Sequence, residues 1–190
     1  MTSVNWKGVF PAVTTKLKPD FSLDITSIEA GLERLLAAGV GGVVMMGMVG
    51  ENAQLSPDEK LTVLRVAKAT IKGRVPIISG LGETSTDRAV VFAKEAEKIG
   101  VDGLMVFPGL TYKSDARETV EFYKTVARAS SLSILLYNNP RGYGVDLTAD
   151  ILAQVMSEPT IVAIKEESYE THRITELRSR FGERLSIVCG

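Results

Sequence analysis

IVAIKEES, residues 161–168, joins two kinds of sequence without a spacer. Ile161, Val162, Ala163 and Ile164 form an apolar run, and Lys165, Glu166, Glu167 and Ser168 follow it directly. The first half has the composition of a buried strand, and the second puts a lysine at the end of that strand. An ammonium group there costs free energy unless it is paired, reaches water or does chemistry as a neutral amine.

The same pattern recurs along the chain. Apolar runs rich in Val and Ile occur at GVFPAV (8–13), GGVVMMG (41–47), VPIISG (75–80), GLMVFPG (103–109), SILLYNN (133–139) and LSIVCG (185–190). Near-continuous apolar runs suit strands buried on both faces of a parallel sheet. Between them lie stretches with helical spacing. In SIEAGLERLLAAG, Ile28, Leu32, Leu35 and Leu36 share a face, and in SPDEKLTVLRVAKATIKG, Leu61, Leu64, Val66 and Ile71 recur. Ser56 reads as an N-cap, with Pro57 at the first helical position and Glu59 completing a capping box. Gly39, Gly73 and Gly100 stand where helix C-caps belong. The stretches at 84–100, 115–130, 148–159 and 171–182 complete the series. The count is seven strands and six intervening helices, the pattern of βα units. Two architectures fit, a (β/α)8 barrel and an open doubly wound sheet. A barrel needs eight strands and typically about 250 residues, and this chain has 190.

Bulk properties narrow the function. The 22 basic and 23 acidic side chains leave a net charge of -1 with no concentrated positive segment, so neither nucleic acid nor an anionic membrane is expected as a partner. The longest apolar runs fall far short of a bilayer span, and MTSVNWKGVF lacks a signal-peptide core. One cysteine, Cys189, allows no intrachain disulfide and points to a reducing compartment, hence the cytoplasm. One histidine, His172, rules out a His-rich metal site. No phosphate loop, nicotinamide fingerprint or metal-ligand cluster occurs, so no cofactor and no metal are expected.

Parallel α/β folds bind ligands at the C-terminal ends of their strands. GMVGEN (Gly47–Asn52), YNNPRGYG (Tyr137–Gly144) and Lys165 all occupy such ends. Lys165 reads in two ways: a strand-end lysine reaching solvent or paired with Glu166 or Glu167, or an amine nucleophile. Glu166 and Glu167 read as structural, and Glu166 must face away from Lys165 because strand neighbours alternate. Tyr137 is a half-buried aromatic or a proton donor and acceptor. The glycines of GMVGEN make a plain turn or let backbone N–H groups close on an anion. Asn138 and Asn139 are turn residues, or one of them touches substrate. His172 and Arg173 read as solvated helix surface, and Cys189 as a small buried hydrophobe.

Gly-x-x-Gly-Glu, Tyr-Asn-x-Pro and Ile-Lys-Glu, in that order and after GVFPAVTT, resemble the dihydrodipicolinate synthase / N-acetylneuraminate lyase family over essentially the whole chain. The resemblance implies a (β/α)8 TIM barrel, here truncated after the seventh strand: residues 1–190 form a single incomplete barrel domain, without the eighth unit and the C-terminal helical segment. An open gap between the first and last strands follows. It also implies class I chemistry, with Lys165 forming a Schiff base to a small 2-oxo acid and Tyr137 shuttling protons. Gly47, Met48, Val49, Gly50 and Asn139 would bind the substrate, and the assembly would be a homotetramer.

Departures from the family bear on the substrate. Many members carry two hydroxyl residues between the glycines, where this chain has Met48 and Val49. Gly109 and Leu110 occupy the positions of an aromatic pair in the synthase branch, with Tyr112 two positions late. Gly142 stands where that branch has an arginine for a second substrate, and Arg141 comes one residue early. These features favour a catabolic dehydratase, deaminase or aldolase, acting on a 2-keto-3-deoxy sugar acid or a hydroxyproline-derived pyrroline carboxylate. The alternatives are 4-hydroxy-tetrahydrodipicolinate synthase and a non-catalytic domain that binds an oxo acid.

Overall fold

The computed structural model of the protein describes residues 4–190. Met1–Ser3, part of the stretch read for a signal-peptide core, lie outside the described residues. Six strands form one sheet: β1 (Val43–Met45), β2 (Ile77–Leu81), β3 (Gly103–Val106), β4 (Ser133–Asn138), β5 (Ile161–Glu166) and β6 (Ser186–Cys189). Every neighbouring pair is parallel, and the order in space is the order in sequence. Seven α-helices accompany them: α1 (Ile25–Ala37), α2 (Pro57–Ile71), α3 (Thr86–Ile99), α4 (Ala116–Ala127), α5 (Pro140–Tyr143), α6 (Ala149–Val155) and α7 (His172–Phe181).

That order decides between the two architectures. A doubly wound sheet reverses its strand order at a switch point and takes helices on both faces. Here the order never reverses. Val43, Met45, Ile77, Leu104 and Ile134 pack into one buried layer with Val63, Leu64 and Ala67 of α2 and Phe92 of α3. The opposite sheet face carries its own smaller cluster, with Val44, Ile78, Met105, Leu135 and Ala163 at its centre. One helix-covered face and one inward apolar face are the two sides of a (β/α) barrel wall, here six strands of it.

The helix boundaries follow local chemistry. Ser56 caps α2 in a full capping box with Glu59, and Pro57 opens the helix. Gly100, at φ +86°, ends α3 in the left-handed region that a side chain disfavours. Two expected counts need correction. GVFPAV is not a strand: it meets β1 at a single bridge, Ala12 to Val44. Val13 N donates to Val44 O at 2.9 Å and Val44 N to Pro11 O at 3.0 Å. Pro11 has no N–H with which to extend the ladder, so the strands among the described residues number six. Among the described residues the α-helices number seven because Pro140, behind an Asn139 cap, starts the short α5. Among the described residues, the 8–13 run and β6 make no pairing with one another, so the sheet is open there.

One irregularity sets the orientation of everything that follows. Ile134 of β4 pairs with Ile161 of β5, but the next residue, Leu135, pairs with Ala163. The extra residue is a β-bulge. Val162 and Ala163 both pack on the inward cluster, while Ile161 and Ile164 pack on the helix side. Strict alternation from Ile161 would have turned Lys165 toward the helices. The bulge shifts the phase and turns it inward.

Candidate functional site

Tyr137 ends the inward row of β4, and Lys165 is its direct partner on β5. Tyr137 is only 4% exposed. The rings of Phe107 and Tyr143 lie 5.5 and 5.7 Å from it, centre to centre. Lys165 Nζ lies over the Tyr137 ring, 4.4 Å from its centroid, where the negative face of the ring attracts a cation. The lysine is neither buried nor free: its side chain is 24% exposed. It lines a cavity of about 230 Å³, walled by Phe10, Ala12, Val44, Met105, Leu135 and Val188 among others.

The Tyr137 hydroxyl has two partners. It donates to Glu167 Oε2 at 2.5 Å and accepts from Asn139 Nδ2 at 3.3 Å. The same Glu167 oxygen is 3.9 Å from Lys165 Nζ. Asn139 is held in place by its other amide atom, since Oδ1 accepts from Gly142 N at 2.9 Å and caps α5. Burial, and then the Glu167 hydrogen bond, hold the Tyr137 phenol well above its ordinary pKa, with the Asn139 bond opposing. Burial followed by the Glu167 charge pushes Tyr143 up to about 12. Both phenols therefore keep their protons at neutral pH, and the Tyr137 hydroxyl stands as a hydrogen-bond donor beside the Lys165 side chain.

The GMVGEN loop closes the rim. Gly47 is extended, and a Cβ there would lie within 4 Å of Met105, Ala12 and Val44, three walls of the Lys165 cavity. Met48–Gly50 form a 3-10 turn in which Met48 and Val49 are 53% and 52% exposed. Met48 borders a neighbouring cavity of about 410 Å³ that also touches Phe107 and Tyr143. Gly50 is tied to the N-terminal run, its carbonyl accepting from Thr15 Oγ1 at 2.7 Å. The loop can sit so low because residue 80 is glycine: a Cβ there would be 1.9 Å from Met46 O. Asn52 Nδ2 bridges the approach, donating to Met46 O and Gly80 O. Lys165, Tyr137 and Asn139 thus form one cluster, Gly47 joins it at the lip, and Met48, Val49 and Gly50 lie on the loop above.

Other side chains depart from the expected arrangement. Glu167 touches the cluster although it read as structural, and Tyr143, which the sequence did not single out, packs its ring against Tyr137 and Phe107. The signal for Glu167 was available: residues two apart on an extended chain share a face. Glu166 does face away, accepting from Asn138 Nδ2 at 2.9 Å and Ser168 N at 2.6 Å. Arg173, expected on a solvated surface, is 7% exposed and makes a two-pronged pair with Asp146. Asp146 Oδ1 also accepts from Asn138 Nδ2 at 3.2 Å, so this network fastens the end of β4 behind Tyr137. His172 is exposed as expected. Cys189 is exposed rather than buried, because it is the last residue of a strand at the sheet edge. Among the described residues no cluster of His, Cys, Asp or Glu is placed to hold a metal ion, and no helix is long and apolar enough to cross a membrane.

Comparison with known proteins gives a consistent result. The family model described as the dihydrodipicolinate synthetase family matches residues 5–190. An uncharacterized DapA-like lyase of Rhizobium meliloti is 33% identical over 186 residues, covering 98% of this chain and 62% of its own length. A 4-hydroxy-tetrahydrodipicolinate synthase of Rickettsia bellii (strain OSU 85-389) is 32% identical, covering 97% and 63%. Among solved structures, dihydrodipicolinate synthase from Aquifex aeolicus superposes with a TM-score of 0.93 at 30% identity, over 97% of this chain and 63% of that one. YagE, a prophage protein of the dihydrodipicolinic acid synthase family from E. coli K12 solved in complex with pyruvate, superposes with a TM-score of 0.92 at 27% identity, over 98% and 64%. The chain spans less than two thirds of the length of each of these relatives. Matched from residue 5 to residue 190 and carrying the motifs at its strand ends, the chain belongs to the dihydrodipicolinate synthetase family.

Proposed function

We propose that the protein is a class I lyase that forms a Schiff base between Lys165 and the ketone of a 2-oxo acid. The observation that carries this reading is the placement of Lys165 Nζ over Tyr137, in a cavity at the strand ends. A neutral amine attacks the ketone, and the iminium that results withdraws electrons from the adjacent carbon. Tyr137 serves as the proton shuttle, since its phenol both donates and accepts. The substrate carboxylate fits the Gly47–Gly50 loop, where Met48 and Val49 present the first N–H groups of a 3-10 turn. Asn139 borders the same space through its bond to Tyr137. The pyruvate bound to YagE supports a small oxo acid as ligand.

A catabolic dehydratase, deaminase or aldolase fits better than the biosynthetic synthase. The substrate is a 2-keto-3-deoxy sugar acid or a hydroxyproline-derived pyrroline carboxylate. Met48 and Leu110 offer no hydroxyl to a relay, and Gly142 has no cation for a second substrate. The synthase is the second reading, favoured by the names of relatives such as the Rickettsia bellii protein. A homotetrameric assembly and a cytoplasmic location belong to the same proposal, the first from the family and the second from the single cysteine.

Borohydride reduction in the presence of pyruvate tests the central claim. Peptide mapping should place the adduct on Lys165. An adduct on Lys113 or Lys124 would move the nucleophile elsewhere. Absence of any adduct would leave a non-catalytic binding domain.

A further inference from the structure

A shuttle that hands a proton to substrate must be reprotonated from somewhere. The side chains of the Gly47–Gly50 loop cannot do this: Met48 has a thioether and Val49 a hydrocarbon side chain. The Tyr137 hydroxyl has two side-chain partners, and the Asn139 amide donates to it. Its own proton therefore points at Glu167 Oε2, 2.5 Å away. That oxygen is also the carboxylate atom 3.9 Å from Lys165 Nζ. Glu167 is fixed in this position from both sides. Its backbone N–H donates to Asn138 O at 2.9 Å, just beyond β5. Its place two residues after Lys165 keeps it on the inward face. With its side chain 25% exposed, it can exchange with solvent at the rim.

We propose that Glu167 is a catalytic residue, the carboxylate that takes the proton of the Lys165 ammonium and returns it through Tyr137 to the departing oxygen. This step rests on the Schiff-base reading above. The ammonium of Lys165 gives one proton to Glu167, leaving a neutral amine and a carboxylic acid. The amine attacks the substrate C2; the C–N bond forms as the carbonyl π pair moves to oxygen. A second nitrogen proton passes through Tyr137 to that oxygen, giving the neutral carbinolamine. The Glu167 acid then protonates Tyr137 as Tyr137 protonates the carbinolamine hydroxyl. Water leaves, and the nitrogen lone pair forms the C=N bond. The products are a cationic iminium, one water and the original carboxylate, so charge and protons balance without an outside acid.

The test compares the rate of borohydride-trapped adduct formation with pyruvate in the wild-type protein and in Glu167→Gln, Glu167→Ala and Glu167→Asp. Far-ultraviolet circular dichroism and melting check that each variant is folded. Glu167→Gln and Glu167→Ala should form adduct roughly 10²–10³-fold more slowly, within the usual range for losing a proton-transfer group. Glu167→Asp should recover at least part of the rate. Added formate should accelerate Glu167→Ala in proportion to its concentration, which a purely structural role would not produce. Wild-type rates in Glu167→Gln would overturn the inference while leaving the Schiff base in place. So would a slow Glu167→Ala that neither formate nor aspartate rescues. Absence of adduct in the wild type would overturn the Schiff-base reading itself, and this step with it.

Discussion

Asp146→Ala should destabilise the protein from behind the site. Both carboxylate oxygens of Asp146 accept from Arg173, at 2.9 Å each, and Asn138 Nδ2 adds a third bond at 3.2 Å. Arg173 is nearly buried, so removing the carboxylate leaves its guanidinium with Leu147 O at 3.4 Å and Glu176 at 3.5 Å. Breaking a fully buried pair from one side costs about 3–5 kcal/mol. The Asp146 side chain is 36% exposed, so water screens the pair, and about 2 kcal/mol is the better figure. For a chain of this size, that lowers Tm by about 4–8 °C. The same hydrogen bonds hold Asp146 below the usual carboxylate range. Its folded pKa is depressed, so its contribution is present at neutral pH and is lost as pH falls below about 4. Calorimetric melting at pH 7 and at pH 3 measures both effects, and the difference between the two proteins should shrink in acid. Arg173→Met introduced on top of Asp146→Ala should cost less than Arg173→Met alone, because the stranded charge is gone. A Tm within about 1 °C of wild type for Asp146→Ala, or full additivity in the double variant, would refute the reasoning.

Tyr137→Phe removes one hydroxyl and its two hydrogen bonds but keeps the ring under Lys165. Stability should fall by only about 1 kcal/mol, whereas adduct formation with pyruvate should slow by roughly 10²–10⁴-fold; an unchanged trapping rate would remove Tyr137 from the chemistry. Gly80→Ala places a Cβ 1.9 Å from Met46 O, which forces the backbone apart. A loss of roughly 1–3 kcal/mol is expected, read as a lower urea midpoint, and a wild-type midpoint would mean the close approach is not needed. Stability should also fall in alkali. Tyr137, Tyr143 and Tyr123 all titrate above their ordinary value, with Tyr143 at about 12. Their raised folded pKa values leave stability intact below about pH 10 and reduce it by up to about 1.4 kcal/mol per unit for each tyrosine above that. Urea midpoints that stay level between pH 9 and pH 11 would contradict this.

Much of the architecture was legible in local chemistry. The apolar runs at 77–81, 103–106, 133–138 and 161–166 are strands, and Ser56, Pro57 and Glu59 start α2 as their residue types require. A strand's composition and a helix's cap are properties of neighbours in sequence, so they can be read there. The nearness of Tyr137 and Lys165 was legible for a related reason: sequential parallel strands lie side by side, and both residues sit near the C-terminal ends. Three features came only from the folded chain. Pro11 permits a single bridge where the run around it resembles a strand, because a ladder depends on the partner's register as well as on composition. Arg173 is buried because Asp146, 27 residues away, arrives beneath it. The inward turn of Lys165 depends on the bulge between Ile161 and Ala163. Period-two alternation within β5 cannot reveal it, since the extra residue is defined only against β4. The lysine is written in the sequence, but the face it occupies is set by how two strands fit together.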